Sequence, residues 1–375
     1  MEYDVVIVGG GPSGSSLGYM LAKNGFKTAI VDKSVFPRHK LCGGLMAHKA
    51  RFIYEKMLGK TIDEIFVAIT NQVNFYMKDK HFSSFNTQSL DLIDRTSFDN
   101  YLIEHFKEAG GDLYENSRIK PDSVSGNSIT LNDGSNLNFK VLVGADGALS
   151  QVRKLIDPDY QTNCFCFEAF VPAEKNTEPI DVCIYFNYIR NGYAWKFPAA
   201  NGSMMYGIGG ETAWVDDTKT AFGRFLDDYG VADKVGHWQG AFLPIGNYVQ
   251  EPFSRSMPVL LTGDAAGLAN AITGEGLYYA AASALFAYKA IEESLKNGKD
   301  LNEQYMSRLK HLHNHIKWQE FINKAWKHPW FKRVYFKTLG LPDWSNRYVC
   351  NHFITGNYKA TTNKMHDAII EVLKA

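Results

Sequence analysis

The sequence predicts an α/β protein: a parallel, helix-covered sheet, interrupted by an inserted antiparallel β-sheet and followed by a helical C-terminal region. Three observations predict it. Short β-branched runs ending in glycine recur at YDVVIVGGG, KVLVGADG and PVLLTGDAAG, as expected of strands buried on both faces. The first runs into a G-x-G-x-x-G spacing and then a helical stretch, PSGSSLGYMLAKNG. Between about 160 and 250 the texture changes to short alternating strands.

The elements follow in order. YDVVIVGGG, the helix closed by Gly25 and KTAIVDK make one β–α–β unit. Residues 45–66 read as helical, and NQVNFYMKDKHFSSF as a hairpin. TSFDNYLIEHFKEAG is an amphipathic helix. Asp133-Gly134 turns a second hairpin inside SVSGNSITLNDGSNLNF. FCFEAFVP, DVCIYFNYI, GYAWKFPA and SMMYGIGG are the alternating strands, and a helix is predicted over about 276–297. The expected division is 1–70, 92–157 and 250–300 for the first domain, 71–91 and 158–249 for the β-rich insertion, and 301–375 for the helical region.

The 375 residues carry 40 Lys/Arg and 40 Asp/Glu, so net charge gives no case for nucleic-acid binding. The balance shifts along the chain: residues 301–375 hold twelve basic and five acidic residues, with six of the eleven histidines. Such a basic, aromatic segment suits either a solvated helical face or a membrane surface, with 327–340 (KHPWFKRVYFKTLG) the stretch for the latter. Five cysteines, an odd number with no C-x-x-C, suggest a reducing compartment rather than a disulfide framework. No signal peptide and no membrane-length apolar run are read. The expected location is the cytoplasm, with peripheral membrane contact as the variant.

Four motifs carry chemistry. In the first, Gly9 permits a tight turn, Gly11 lets a pyrophosphate approach, and Gly14 lets helix and strand pack closely. The pyrophosphate would sit on the helix N-terminus, and Asp32 at the end of the next strand would take ribose hydroxyls. The second is DRTSFD, 94–99, which also reads as a capped helix start. The third is GADGALSQVR, 144–153. The fourth is TGDAAGLANAITGEG, 262–276, in which Asp264 ends a strand and Gly274 and Gly276 open a helix.

In this order the motifs resemble the flavoproteins of the p-hydroxybenzoate hydroxylase fold. The resemblance makes the first domain a Rossmann-like FAD-binding domain and the insertion a substrate domain. It places Gly9, Gly11, Ser13, Gly14 and Asp32 at the ADP end of FAD, and Arg95 against the cofactor. It gives Asp146 and Gly147 a shared FAD/NAD(P)H fingerprint. It puts Asp264 at the ribityl or pyrophosphate part, and Gly274, Gly276 and Leu277 at the isoalloxazine. Lys33, Arg38, Leu45 and Ile119 complete the expected cofactor shell.

Two further stretches, KLCGG at 40–44 and YAWKFP at 193–198, are similar to the K-x-C-G-G and Y-x-W-x-F-P elements of the geranylgeranyl reductase family. That likeness implies an FAD-dependent reductase of carbon–carbon double bonds in an isoprenoid or other lipid-like substrate, with NAD(P)H as donor. Cys42, Gly43 and Gly44 would then wrap the flavin, with Cys42 at the reactive face as proton donor, pocket former or flavin tuner, or as a small apolar filler beneath the ring. Tyr193, Trp195, Phe197 and Pro198 would line the substrate cavity. A flavin monooxygenase or halogenase on the same fold is the alternative.

Three features are discounted. His311, His313 and His315 lack an acidic third ligand, so no metal site is expected. Cys164 and Cys166 share one strand face and read as packing. GIGG, 207–210, is read as not followed by a helix, and so not as a second nucleotide site.

Overall fold

In the computed structural model, which describes residues 1–172, 181–328, 330 and 359–374, the first unit forms as the sequence dictates. β1 (Glu2–Val8), α1 (Pro12–Lys23) and β2 (Thr28–Val31) are joined so that β1 and β2 run parallel, Val5 opposite Thr28 and Val8 opposite Val31. Every side chain of β2 is buried, because helices and strands cover both its faces.

The chain continues through β3 (Leu45–Ala47), α2 (His48–Leu58), β4 (Phe66–Met77), β5 (Lys80–Ile93), α3 (Arg95–Glu108) and β6 (Asp112–Tyr114). It then makes β7 (Val124–Ser125), β8 (Ser128–Thr130) and β9 (Asn136–Gly144). The strand-rich stretch holds β10 (Cys164–Pro172), β11 (Val182–Phe186), β12 (Gly192–Ala199) and β13 (Ser203–Glu211), then α4 (Val215–Asp228) and β14 (Gln239–Leu243). β15 (Val259–Leu261), α5 (Leu277–Asn297), α6 (Leu301–Lys327) and α7 (Lys359–Lys374) complete the described elements.

One sheet has the order β6-β2-β1-β9-β8-β7, with β15 also beside β9. β6, β2, β1, β9 and β15 are mutually parallel, although β15 lies more than 100 residues after β9. Leu17 and Leu21 of α1 and Leu285 and Phe286 of α5 are fully buried in the core that covers it.

The other sheet has the order β14-β10-β13-β12-β11-β4-β5-β3. It is antiparallel except where β11 meets β4 in parallel. Those two strands are not consecutive and share no hairpin, so no tight turn fixes their relative direction. Residues 45–47, 66–70 and 92–93, expected with the first domain, lie in strands of this sheet. Residues 45–47 are strand rather than helix, and the helix begins at His48.

Period-two alternation sorts this sheet's side chains. Ala169, Val171, Ala194 and Tyr206 pack on an outer face against Phe222 and Phe225 of α4. Cys164, Cys166, Trp195 and Phe197 pack on the inner face. A helix therefore does follow GIGG, contrary to the sequence reading. β13 is nevertheless antiparallel to both its neighbours, so no second β–α–β unit arises. Among the described residues no helix is long and apolar enough to cross a membrane, and no cluster fit for a metal ion is found. The aromatic-basic stretch 327–340 and Cys350 fall largely outside the described residues.

Candidate active site

A single cavity of about 700 Å³ runs from the first β–α turn to the inner face of the second sheet. Gly9, Gly11, Ser13, Asp32, Lys33, Arg38, Cys42, Gly43, Gly44 and Leu45 line it. So do Arg95, Ile119, Asp146, Gly147, Tyr193, Trp195, Phe197, Asp264, Gly274, Gly276 and Leu277. Of the residues expected at the site, Gly14 and Pro198 do not. Pro198 has the parity of Ala194 and Lys196, so alternation turns it to the outer face. Gly14 lies behind the cradle, where a Cβ would stand 1.9 Å from the Gly9 carbonyl oxygen.

At one end the backbone prepares an anion site. α1 begins at Gly11 with no side chain capping its first amides, which leaves them for a ligand. The Ser13 hydroxyl is buried, lines the cavity and has no protein partner. The Asp32 carboxylate accepts the Gly10 and Ser34 N–H groups at 2.7 and 2.8 Å, which fixes its two oxygens for ribose hydroxyls. These residues fit the ADP half of FAD.

The third and fourth motifs are locked together by a residue the sequence reading passed over. Arg153 stacks on Tyr160, with its guanidinium carbon 3.8 Å from the ring centre, and donates to the carbonyls of Ala148, Asp264 and Ala265. Asp146 accepts from the Ser150 hydroxyl and the Gln151 N–H, so it shapes its own turn as well as facing the cavity. Burial raises the pKa of Asp146 and of Asp264, the latter against the pull of Lys40 and Arg95.

The loop 270–276 is held from behind by α6. Gln319 accepts the Ala271 N–H at 3.0 Å and Asn323 donates to the Ala271 carbonyl at 2.8 Å. Gln319 also donates to the Tyr279 hydroxyl, which bonds His315 at 3.0 Å. Part of the HLHNH run thus serves this buttress. α5 starts at Gly276 without a side-chain cap, leaving its N-terminal amides at the cavity.

At the other end DRTSFD is both things the sequence offered. Asp94 caps α3 by accepting the Ser97 N–H at 2.9 Å. Arg95 reaches the cavity in a two-pronged pair with buried Asp99, which also holds Arg38 at 3.1 Å. Arg95 stands beside Cys42, whose sulfur accepts the Gly44 N–H at 3.4 Å.

The 42–44 turn lies against the aromatic strand. A Cβ on Gly43 would be 3.2 Å from the Phe197 ring, and one on Gly44, at φ +68°, 2.3 Å from the Ile93 carbonyl oxygen. Phe197, Trp195 and Tyr193 follow in one stripe, ring centres 6.3 and 5.7 Å apart. Val73, Phe75, Ile184 and Phe186 extend the apolar wall. Cys164 and Cys166, expected only to pack, line the same chamber.

Glu168 was not anticipated at all. It stands on the same face as Cys164 and Cys166, lines the cavity and is 3% exposed. Burial pushes its pKa up to about 7, against the pull of Lys40, the Cys42 N–H and Arg95. Lys40 is in turn shifted down, by burial and by Arg95. A glutamate between apolar residues in FCFEAFVP gives no signal in sequence beyond its inward parity.

Residues 2–169 match the family described as FAD binding domain. The chain is 27% identical over 312 residues to a geranylgeranyl diphosphate reductase of Rhodobacter capsulatus, covering 80% of this chain and 77% of that one. Among solved structures it is similar to a geranylgeranyl bacteriochlorophyll reductase-like protein from Thermoplasma acidophilum. There the TM-score is 0.76 and the identity 18%, over 98% and 99% of the two chains. A flavin-dependent brominase superposes with TM-score 0.73 and 18% identity over the full length of both chains.

Proposed function

We propose that this chain, which carries an FAD binding domain and resembles the geranylgeranyl reductase flavoproteins, reduces carbon–carbon double bonds in an isoprenoid or other lipid-like substrate. One observation carries the reading: the Cys42–Gly44 turn packs on Phe197, so the cofactor cradle and the aromatic chamber are one continuous cavity. Bound FAD would supply hydride chemistry, taking two electrons from NAD(P)H and passing them on as hydride.

The chain's own residues then bind, orient and exclude water. The Gly9–Ser13 turn and Asp32 hold the nucleotide end, and the α5 N-terminus with Gly274 and Gly276 meets the ring end. The aromatic and aliphatic wall suits a flat, apolar chain and offers few hydrogen bonds, which selects against sugars and amino acids. Tyr193 spends its hydroxyl proton on the Thr273 carbonyl, leaving its ring as wall.

The test is anaerobic. The flavin-loaded protein is reduced and mixed with a polyprenyl alkene without oxygen. Reoxidation with loss of one double bond per turnover supports the reductase. Reoxidation that waits for oxygen assigns the scaffold to monooxygenase or halogenase chemistry instead.

A further inference from the structure

We propose that Glu168 is the proton donor of this reduction, its carboxyl placed where the cofactor turn meets the apolar chamber. The proposal rests on the reductase reading.

The geometry comes from strand register. Glu168 on β10 stands opposite Gly207 on β13, and Gly207 stands opposite Trp195 on β12. Gly207 has no side chain, and the Trp195 indole fills that space: a Cβ there would lie 2.5 Å from Nε1. One cross-strand row therefore holds the indole, laid over the glycine, and the carboxyl next to it. Both the Trp195 Nε1 and the Glu168 Oε2 are buried, and neither has a protein partner. Buried polar atoms are nearly always hydrogen-bonded, so two orphans in one row of a cavity wall point to a bound group or water between them.

Three other proton-bearing groups of the chamber are less suited to the step. The Tyr193 hydroxyl donates to Thr273, the Cys42 sulfur accepts from the Gly44 N–H, and neighbouring Cys164 together with burial drives the Cys166 thiol well up. The charges facing Glu168 are Lys40 and Arg95, with Asp264 and Arg38 beyond Lys40, and the titratable neighbours are the Cys42 and Cys166 thiols. His39 bonds Gln239, which stands opposite Glu168 on β14. A carboxyl that holds its proton up to about pH 7 matches the operating range of a general acid.

The step balances. One alkene carbon accepts the hydride that the reduced cofactor provides, and the π bond opens. The neighbouring carbon takes the proton as the Glu168 O–H bond breaks. Glu168 is left as a carboxylate beside Lys40 and the Cys42 N–H, and regains a proton from solvent.

The experiment compares wild type, Glu168→Gln and Glu168→Asp, each loaded with FAD and reduced anaerobically. In wild type, reoxidation by a polyprenyl alkene should slow as pH rises through about 7. Glu168→Gln should slow it by about 100-fold or more and abolish that pH dependence, and Glu168→Asp should restore part of the rate. Flavin content and flavin reduction should match wild type in both variants. Infrared difference spectra should show a protonated carboxyl titrating near neutrality that Glu168→Gln lacks. The proposal is overturned if Glu168→Gln reoxidises within about threefold of wild type with the same pH profile, if the infrared band persists in it, or if both variants lose flavin. Should wild type itself fail to reoxidise with any alkene, the reductase reading falls, and the proposal falls with it.

Discussion

The Tyr193 hydroxyl donates to the Thr273 carbonyl at 2.6 Å, tying the aromatic strand of the second sheet to the loop that opens α5. Two segments 80 residues apart, the aromatic wall and the loop proposed to meet the cofactor, are thereby fixed to each other. Phe in place of Tyr193 keeps the ring and removes the tie. A lost hydrogen bond that strands its partner costs roughly 1–3 kcal/mol. Tyr193→Phe should therefore weaken FAD binding by about fivefold or more and lower the melting temperature. Unchanged FAD affinity by calorimetry would show that the tie does not position the loop.

Gly44 and Gly43 should respond differently to alanine. Gly44 has φ +68° and no room for a Cβ, so Gly44→Ala strains the backbone by roughly 1–3 kcal/mol and drives the turn off Ile93. Flavin per chain should fall steeply. Gly43→Ala meets only side chains, the Phe197 ring at 3.2 Å and the Met205 methyl at 3.7 Å, and should keep flavin while narrowing the chamber. Equal flavin occupancy in the two variants would contradict this turn geometry.

Glu168 should leave a signature on stability as well as on rate. Its pKa is about 7 in the folded chain and near the ordinary 4.5 when unfolded. Below about pH 4.5 both states are protonated and the neutral, buried form contributes its full stability. As pH rises toward 7 the unfolded state gives up its proton first, so that contribution drains away. About 2.5 pKa units correspond to about 3 kcal/mol at most. Glu168→Gln should gain relative to wild type across pH 5–8 in chemical denaturation. Parallel stability curves would mean that Glu168 is solvated.

Gln319 is the centre of the α6 buttress. Gln319→Leu removes the acceptor for the buried Ala271 N–H and the donor to Tyr279. A destabilisation of roughly 1–3 kcal/mol is expected, with loosening confined to residues 270–276. Hydrogen exchange should report faster exchange there and little change at the Gly9–Ser13 turn. Uniform change across the chain would argue against a local role.

Much of the site was legible in the sequence because short-range rules fix it. Gly9, Gly11 and Gly14 with Asp32 announce a cradle through backbone freedom and spacing alone, and the GYAWKFPA strand has the predicted ends. Alternation also decides that Tyr193, Trp195 and Phe197 share a face. The same alternation excludes Pro198, which only the motif had included. Three expectations failed where distant segments meet: the strand at 45–47, the parallel pairing of β11 with β4, and the helix after GIGG.

By itself the sequence determined what period and composition encode: the parallel units, the glycine turn at 9–14, the capped start of α3 and the aromatic stripe. Only the tertiary structure decided which of these elements meet. It set the Gly43 turn on Phe197, latched the third motif to the fourth through Arg153, and made α6 the support of the 270–276 loop. It also placed Glu168 in a row with Trp195 across a glycine. The physical reason is that backbone conformation and side-chain parity are local. Burial, pairing and proton affinity, by contrast, depend on what a distant part of the chain brings alongside.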